Sequence, residues 1–242
     1  MAQRTAAGTW SIQGRTVTLP VTIPDARITT AVFRAPAAEA RRLLAETPLT
    51  PLEVRGRAFS LLLCVHYGEW VLGTYDEVGV GLLVSGPGRK PGLHLLDLPV
   101  TGAFTREAGQ DFWGLPKWLM DADLRFGPGE TSVVVRDGDA EVMRASIRHG
   151  RRRLPVPVRA SVPSWSYLAY GVQAHRLLRG RVPMNLNGVR LGRGGVSVRL
   201  GAAHPMADRM RALGMLGRPL LTVHAERLSG SLDEFHPVAT AR

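Results

Sequence analysis

Lysine is almost missing from this 242-residue sequence: of 31 basic residues only Lys90 and Lys117 are lysines. Cysteine is scarcer still. A lone Cys64 excludes an intrachain disulfide, and a cytoplasmic setting is expected. Long apolar runs are also absent. The longest aliphatic stretch, Leu61-Leu62-Leu63-Cys64-Val65, falls far short of the roughly 20 residues of a membrane-spanning helix, so no membrane partner is expected. Met1 to Gly8 hold no apolar segment of signal-peptide length. Acidic residues are lacking from Val142 to Ala207, where arginines recur, so the second half carries most of the net charge of +11.

That basic half is densest at Arg148-His149-Gly150-Arg151-Arg152-Arg153. No helix-turn-helix, zinc-finger or RNP pattern accompanies it. Its arginines instead alternate with apolar residues, as in Val189-Arg190-Leu191 and Val198-Arg199-Leu200, the pattern of a solvated sheet face. A solvated or substrate-steering surface is the reading, with no nucleic-acid partner expected.

What remains is a chain with 45% hydrophobic residues, enough for a core, and with no low-complexity linker, so a single domain over residues 1–242 is expected. Asp137-Gly138 and Asn187-Gly188 each separate two strand-like runs and predict hairpins, because both pairs accept positive φ. Further strand-like runs are Arg15 to Ile23, Ile28 to Arg34, Leu52 to Val65, Val71 to Tyr75, Val78 to Ser85 and Pro219 to Glu226. Helices are expected over Pro36 to Thr47, Phe104 to Phe112 and His204 to Leu213. The fold class is therefore β-rich α+β: a largely antiparallel sheet or barrel with a few peripheral helices.

Common catalytic signatures are absent, including Gly-x-Ser-x-Gly, a phosphate loop and His-Glu-x-x-His. The seven histidines show no ligand spacing, and no metal is expected. The chemically informative segment is Phe112-Trp113-Gly114-Leu115-Pro116-Lys117-Trp118-Leu119. Burial among these apolar side chains would disfavour the ammonium and favour the free amine that attacks a carbonyl to form a Schiff base. The alternative is a lysine whose stem packs while its head reaches water, and composition alone favours it, since buried lysines are rare. Lys90, between Gly86-Pro87-Gly88-Arg89 and Pro91-Gly92, reads as a solvated loop residue. Period-two alternation places Trp118, Met120, Ala122, Leu124 and Phe126 on the face opposite Lys117.

Ala108-Gly109-Gln110-Asp111-Phe112-Trp113-Gly114-Leu115-Pro116-Lys117 resembles the lysine motif of the acetoacetate decarboxylase family. Tyr75-Asp76-Glu77 is similar to the family's Tyr-x-Glu segment, and Val32-Phe33-Arg34 to the segment with its active-site arginine. The resemblance runs from about Thr29 to Phe126. It departs where Trp118 replaces a second lysine, Gln110-Asp111 replaces Arg-Glu, and Ser60-Leu61-Leu62 stands where a second acid is expected.

The resemblance implies a cofactor-independent lyase acting on a β-keto or other oxo acid. Lys117 would form the iminium, Glu77 would position or move protons, and Arg34 would hold the substrate carboxylate. Trp113 and Leu115, beside the lysine, are expected to contact substrate. The same iminium supports aldol condensation and dehydration, and a non-catalytic small-molecule binding barrel is the reading from another class. The resemblance also implies a homo-oligomer, which exposed sheet edges would favour.

Overall fold

The computed structural model describes residues 2–239. Seven strands close into a barrel: Val21–Pro36, Arg57–Tyr67, Tyr75–Gly86, Lys90–Val100, Val158–Ser166, Leu178–Asn187 and Leu221–Leu232. Each pairs with the next in this order. The ring closes through Leu178–Asn187 against Leu221–Leu232 and through Leu221–Leu232 against Val21–Pro36. All neighbours run antiparallel except Lys90–Val100 and Val158–Ser166, which meet in parallel at Leu93–Ser164 and His94–Trp165.

The Leu61-Leu62-Leu63-Cys64-Val65 run explains how the barrel sits in the molecule. Leu61, Leu63 and Val65 face an internal cavity, while Leu62 and Cys64 face outward into the main core. A strand covered on both sides has no polar face, which is why it reads as continuous apolar sequence. The outer cover is a four-stranded antiparallel sheet, in the order Asp121–Phe126, Glu130–Asp137, Ala140–Arg148 and Val196–Leu200, together with helices α1 (Ala37–Leu43) and α3 (Pro205–Ala212). Phe33, Leu62, Val135, Met143, Ile147 and Met210 meet in this layer. On another side, the Gln3–Ala6, Thr9–Ile12 and Arg15–Thr18 meander packs Trp10 and Ile12 against helix α2 (Ala103–Trp113) through Phe112.

The β-rich barrel with three peripheral helices is the expected class, and the Asp137-Gly138 hairpin forms with Asp137 opposite Ala140. Several local details differ. Asn187-Gly188 makes no hairpin: Met184–Asn187 and Arg190–Gly192 both pair with Leu221–Leu232, at Asn187–Arg227 and Arg190–His224. The positive φ of Gly188 therefore serves a kink in a chain that keeps following one partner strand. Val71–Thr74 is turn and irregular chain. The strands Lys90–Val100 and Val158–Ser166, obscured in sequence by Pro91-Gly92 and Pro163, complete the barrel.

Ten of the twelve arginines between Val142 and Ala207 are exposed, the remaining two, Arg179 and Arg190, being half-buried. Among the described residues no helix is long and apolar enough to cross a membrane.

Three buried polar side chains outside the cavity, Asp97, His94 and His224, find partners, whereas Trp10 Nε1 and Thr222 Oγ1 are buried without one. Arg209 of α3 grips the buried Asp97 through Nε to Oδ2 at 2.6 Å and Nη2 to Oδ1 at 2.5 Å, fastening the helix to the barrel. His94 Nδ1 lies 3.1 Å from the Trp165 carbonyl oxygen, and His224 Nδ1 lies 2.9 Å from Thr29 Oγ1. Burial pushes both imidazoles down to about 4, and the His149 ring stacked 3.6 Å from His224 adds to that depression. An unfolded histidine titrates near 6.5, so between about pH 6.5 and 4 the unfolded chain binds protons that the folded chain refuses. Folding stability is expected to be flat above pH 6.5 from these groups and to fall as pH drops through that window. Melting temperatures from pH 7.5 to 4.5 check this, and H94N or H224Q should flatten the decline.

Candidate active site

The lysine segment owes its shape to the end of α2. Thr105, Ala108, Gly109 and Phe112 recur at three- and four-residue spacing and form the buried face of that helix. Gly114, at φ 61°, ends it in the left-handed region. The Gly114 N–H donates to the Gln110 carbonyl at 3.1 Å, the bond of an αL stop, and the Leu115 N–H reaches back to the Gly109 carbonyl at 3.0 Å. Trp113 anchors the last turn by donating from Nε1 to the Asp233 carbonyl at 2.8 Å. Pro116 leaves the helix and accepts from the Leu98 N–H at 3.1 Å. Lys117–Leu119 then pairs in parallel with Leu98–Val100, and Gln110 Nε2 holds the Lys117 carbonyl at 2.6 Å. The chain thus folds back so that the lysine lies beneath its own preceding helix.

Lys117 is 3% exposed, so its head does not reach water. Nζ lies 2.9 Å from Glu77 Oε2 and donates to Thr105 Oγ1 at 2.9 Å. The same nitrogen stands 5.1 Å from the centre of the Tyr75 ring. Glu77, 6% exposed, accepts a long hydrogen bond from the Tyr67 hydroxyl at 3.4 Å. Burial first, with the Glu77 charge adding to it, pushes both the Tyr67 and Tyr75 phenols well above 10. They remain protonated donors at neutral pH. Gly109 makes the lysine's position possible, since a Cβ there would stand 2.4 Å from Lys117 Cδ and 2.7 Å from Cε.

The cluster opens onto a cavity of about 370 Å³ inside the barrel. Of the five residues expected at the site, Lys117, Glu77, Trp113 and Leu115 all line this cavity. Arg34 does not join them. Glu77 lies across from Val65, which lies across from Ile28. Arg34 is six residues further along that strand, a separation of ~20 Å at 3.3 Å per residue. It is exposed at the other end of the barrel. Trp118 points away from the lysine and packs at a tilt against the His204 ring, 5.1 Å between centres, so position 118 and Lys117 occupy opposite faces as the alternation predicts. Ser60 likewise faces outward, near the Leu213 carbonyl, and Asp111 Oδ2 accepts from the Ala2 N–H at 2.7 Å instead of reaching the lysine.

Sequence reasoning missed Thr105 and Tyr67. Thr105 carried one usable signal, a polar residue on the apolar stripe of α2, whereas Tyr67 reaches Glu77 only through strand pairing. Among the described residues, no group of three or more His, Cys, Asp or Glu side chains is arranged to hold a metal ion.

Comparisons with known proteins agree with the fold. The sequence pattern of the family described as acetoacetate decarboxylase (ADC) matches residues 4–230. A solved acetoacetate decarboxylase superposes with a TM-score of 0.68 at 17% identity, covering 90% of this chain and 89% of that one. The acetoacetate decarboxylase of Legionella pneumophila subsp. pneumophila str. Philadelphia 1 gives 0.65 at 15% identity, covering 91% and 87%. The enduracididine biosynthesis enzyme MppR, solved with pyruvate, gives 0.64 at 16% identity, covering 95% of each chain. No curated protein sequence matches. The match to the family pattern over nearly the whole chain shows that this protein belongs to the acetoacetate decarboxylase family.

Proposed function

We propose that the protein is a Schiff-base-forming lyase that decarboxylates an oxo acid through an imine on Lys117. The observation that carries this reading is a buried lysine amine 2.9 Å from a buried carboxylate, both lining one apolar cavity. Glu77 takes a proton from Nζ, and the freed lone pair attacks the substrate ketone. The carbinolamine hydroxyl leaves as water after protonation by Glu77. Carbon–carbon cleavage then sends the bonding pair into the iminium, releasing CO2 and leaving an enamine. Glu77, which has picked up a proton from solvent, delivers it to carbon, and hydrolysis frees the product and the amine. Thr105 keeps Nζ aimed by its hydrogen bond, and Trp113 and Leu115 shape the wall beside it. Arg34 has no part in this scheme, because it stands too far from Lys117 to bind a carboxylate attached to the reacting carbon.

Aldol condensation is the second reading. It is favoured by one relative, MppR, which is described with a condensation product of pyruvate and imidazole 4-carboxaldehyde. Product analysis separates the two: CO2 release from a β-keto acid against a condensed or dehydrated species from pyruvate and an aldehyde.

Borohydride reduction in the presence of pyruvate, acetoacetate and longer oxo acids is expected to add one substrate mass at Lys117. With only one other lysine in the chain, peptide mapping is unambiguous. No adduct with any of these acids, or an adduct that persists in K117A, would overturn the proposal. E77Q is expected to slow adduct formation by roughly 10²–10⁴-fold, the usual worth of a positioned proton-transfer group, with the rate measured by quenched mass spectrometry. In G109A the new methyl displaces the lysine stem. A displacement of about 1 Å can cost on the order of 10²-fold, so trapping should slow comparably while the melting temperature stays near that of the parent.

A further inference from the structure

The polar groups of the barrel cavity are gathered at one end. Tyr67, Tyr75, Glu77 and Lys117 meet there, and apart from Thr30 and Ser164 the wall beyond them is built of apolar side chains such as Leu61, Leu63, Leu83, Leu93, Val162 and Leu186. The strand that carries Glu77 keeps this wall smooth. Its next two inward positions are Gly79 and Gly81. A Cβ at Gly79 would meet Leu63 Cγ at 2.8 Å, and one at Gly81 would meet the His94 carbonyl oxygen at 2.8 Å and the Leu93 side chain at 3.1 Å. The aliphatic part is also deep. Glu77 is level with Val65, and Leu61 lies four residues further along that strand, ~13 Å at 3.3 Å per residue. No arginine lines the cavity among the described residues, so a bound carboxylate has no guanidinium to hold it.

A small, doubly polar oxo acid leaves most of such a chamber unfilled, whereas an alkyl tail would replace water along its whole length. We infer that the substrate is a medium-chain 3-oxo acid, its ketone at Lys117 and its alkyl tail running down the barrel toward Leu61, Leu83 and Val162. Each carbon of an extended chain advances about 1.3 Å for bonds of about 1.5 Å, and with about 2 Å of van der Waals contact kept at each end the depth takes about five to seven carbons beyond the ketone, an acid of roughly eight to ten carbons. This inference rests on the Schiff-base reading of Lys117. The carboxylate, next to the ketone, stays at the polar end. Glu77 is neutral while the ketone is attacked, and once it has given that proton to the leaving hydroxyl the positive iminium offsets its charge beside the carboxylate. Cleavage of the bond between carbons one and two releases CO2, the electron pair enters the iminium, and one proton is consumed at carbon two. Hydrolysis then yields a methyl ketone one carbon shorter than the acid.

The experiment is a chain-length series from 3-oxobutanoate to 3-oxododecanoate, read as CO2 release and as borohydride-trapped mass. Each buried methylene is worth about a fourfold gain in apparent affinity. The ratio kcat/KM is therefore expected to rise on the order of a hundredfold from four to eight carbons, then to level off near ten. V162F and L83F, filling the far end from two different strands, should each move the preferred length downward. In a parallel arm, 2-nonanone should quench tryptophan fluorescence in K117A at far lower concentration than acetone does. Equal use of 3-oxobutanoate and 3-oxodecanoate, or a preferred length unmoved by both variants, would overturn this inference while leaving the lysine reading intact. Failure to trap any chain length while 2-nonanone still binds K117A would overturn the lysine chemistry, and with it the reaction assigned here.

Discussion

The contact between Lys117 and Glu77 governs what the rest of this structure must provide. Two opposite charges withdrawn from water lose hydration worth several kcal/mol each, and their mutual attraction repays this only with good geometry and further hydrogen bonds. The barrel supplies both. Thr105 accepts from the ammonium, and Tyr67 donates to the second carboxylate oxygen. Removing either charge would leave the other uncompensated in an apolar enclosure. Moving one proton from the amine to the carboxylate would neutralise both partners of this costly pair at the edge of the cavity.

The pair stays in register because it is held from two directions. Glu77 belongs to a strand paired along most of its length on both edges, so its carboxylate is fixed by the barrel. Lys117 begins a short strand whose position depends on the helix stop at Gly114 and on the Pro116 carbonyl. Gly109 joins the two arrangements. The absence of its side chain lets the lysine stem pass directly beneath the helix, and the helix closes that end of the cavity. The close approach of helix and lysine is therefore a steric requirement at one residue, while the orientation of the amine is an electrostatic one shared among Glu77, Thr105 and the Tyr75 ring.

Burial on both faces of the barrel wall shapes the remainder. Inward residues make the apolar chamber, and outward residues of the same strands make the core beneath the four-stranded sheet, α1 and α3. Arg209 and Asp97 fasten α3 across this outer layer without entering the cavity. The basic surface of the second half lies outside both layers, where solvation of the arginines suffices to account for it.

Much of this was legible in the chain itself. Lys117 stands out because lysine is so rare and its neighbours so apolar, and period-two alternation correctly sends Trp118 to the opposite face. Hairpin chemistry identifies Asp137-Gly138, and apolar runs identify most of the barrel strands. The same local rules misread Asn187-Gly188, because a positive φ is required equally by a hairpin and by a kink along one partner. They could not say that Arg34 lies at the wrong end of the barrel, nor that Thr105 and Tyr67 meet the lysine pair. Residue type and spacing determined which groups can do the chemistry, since those are properties of the chain over a few neighbours. Which groups share one cavity was decided only by strand register and barrel closure, because contacts between residues tens of positions apart depend on how the strands pair.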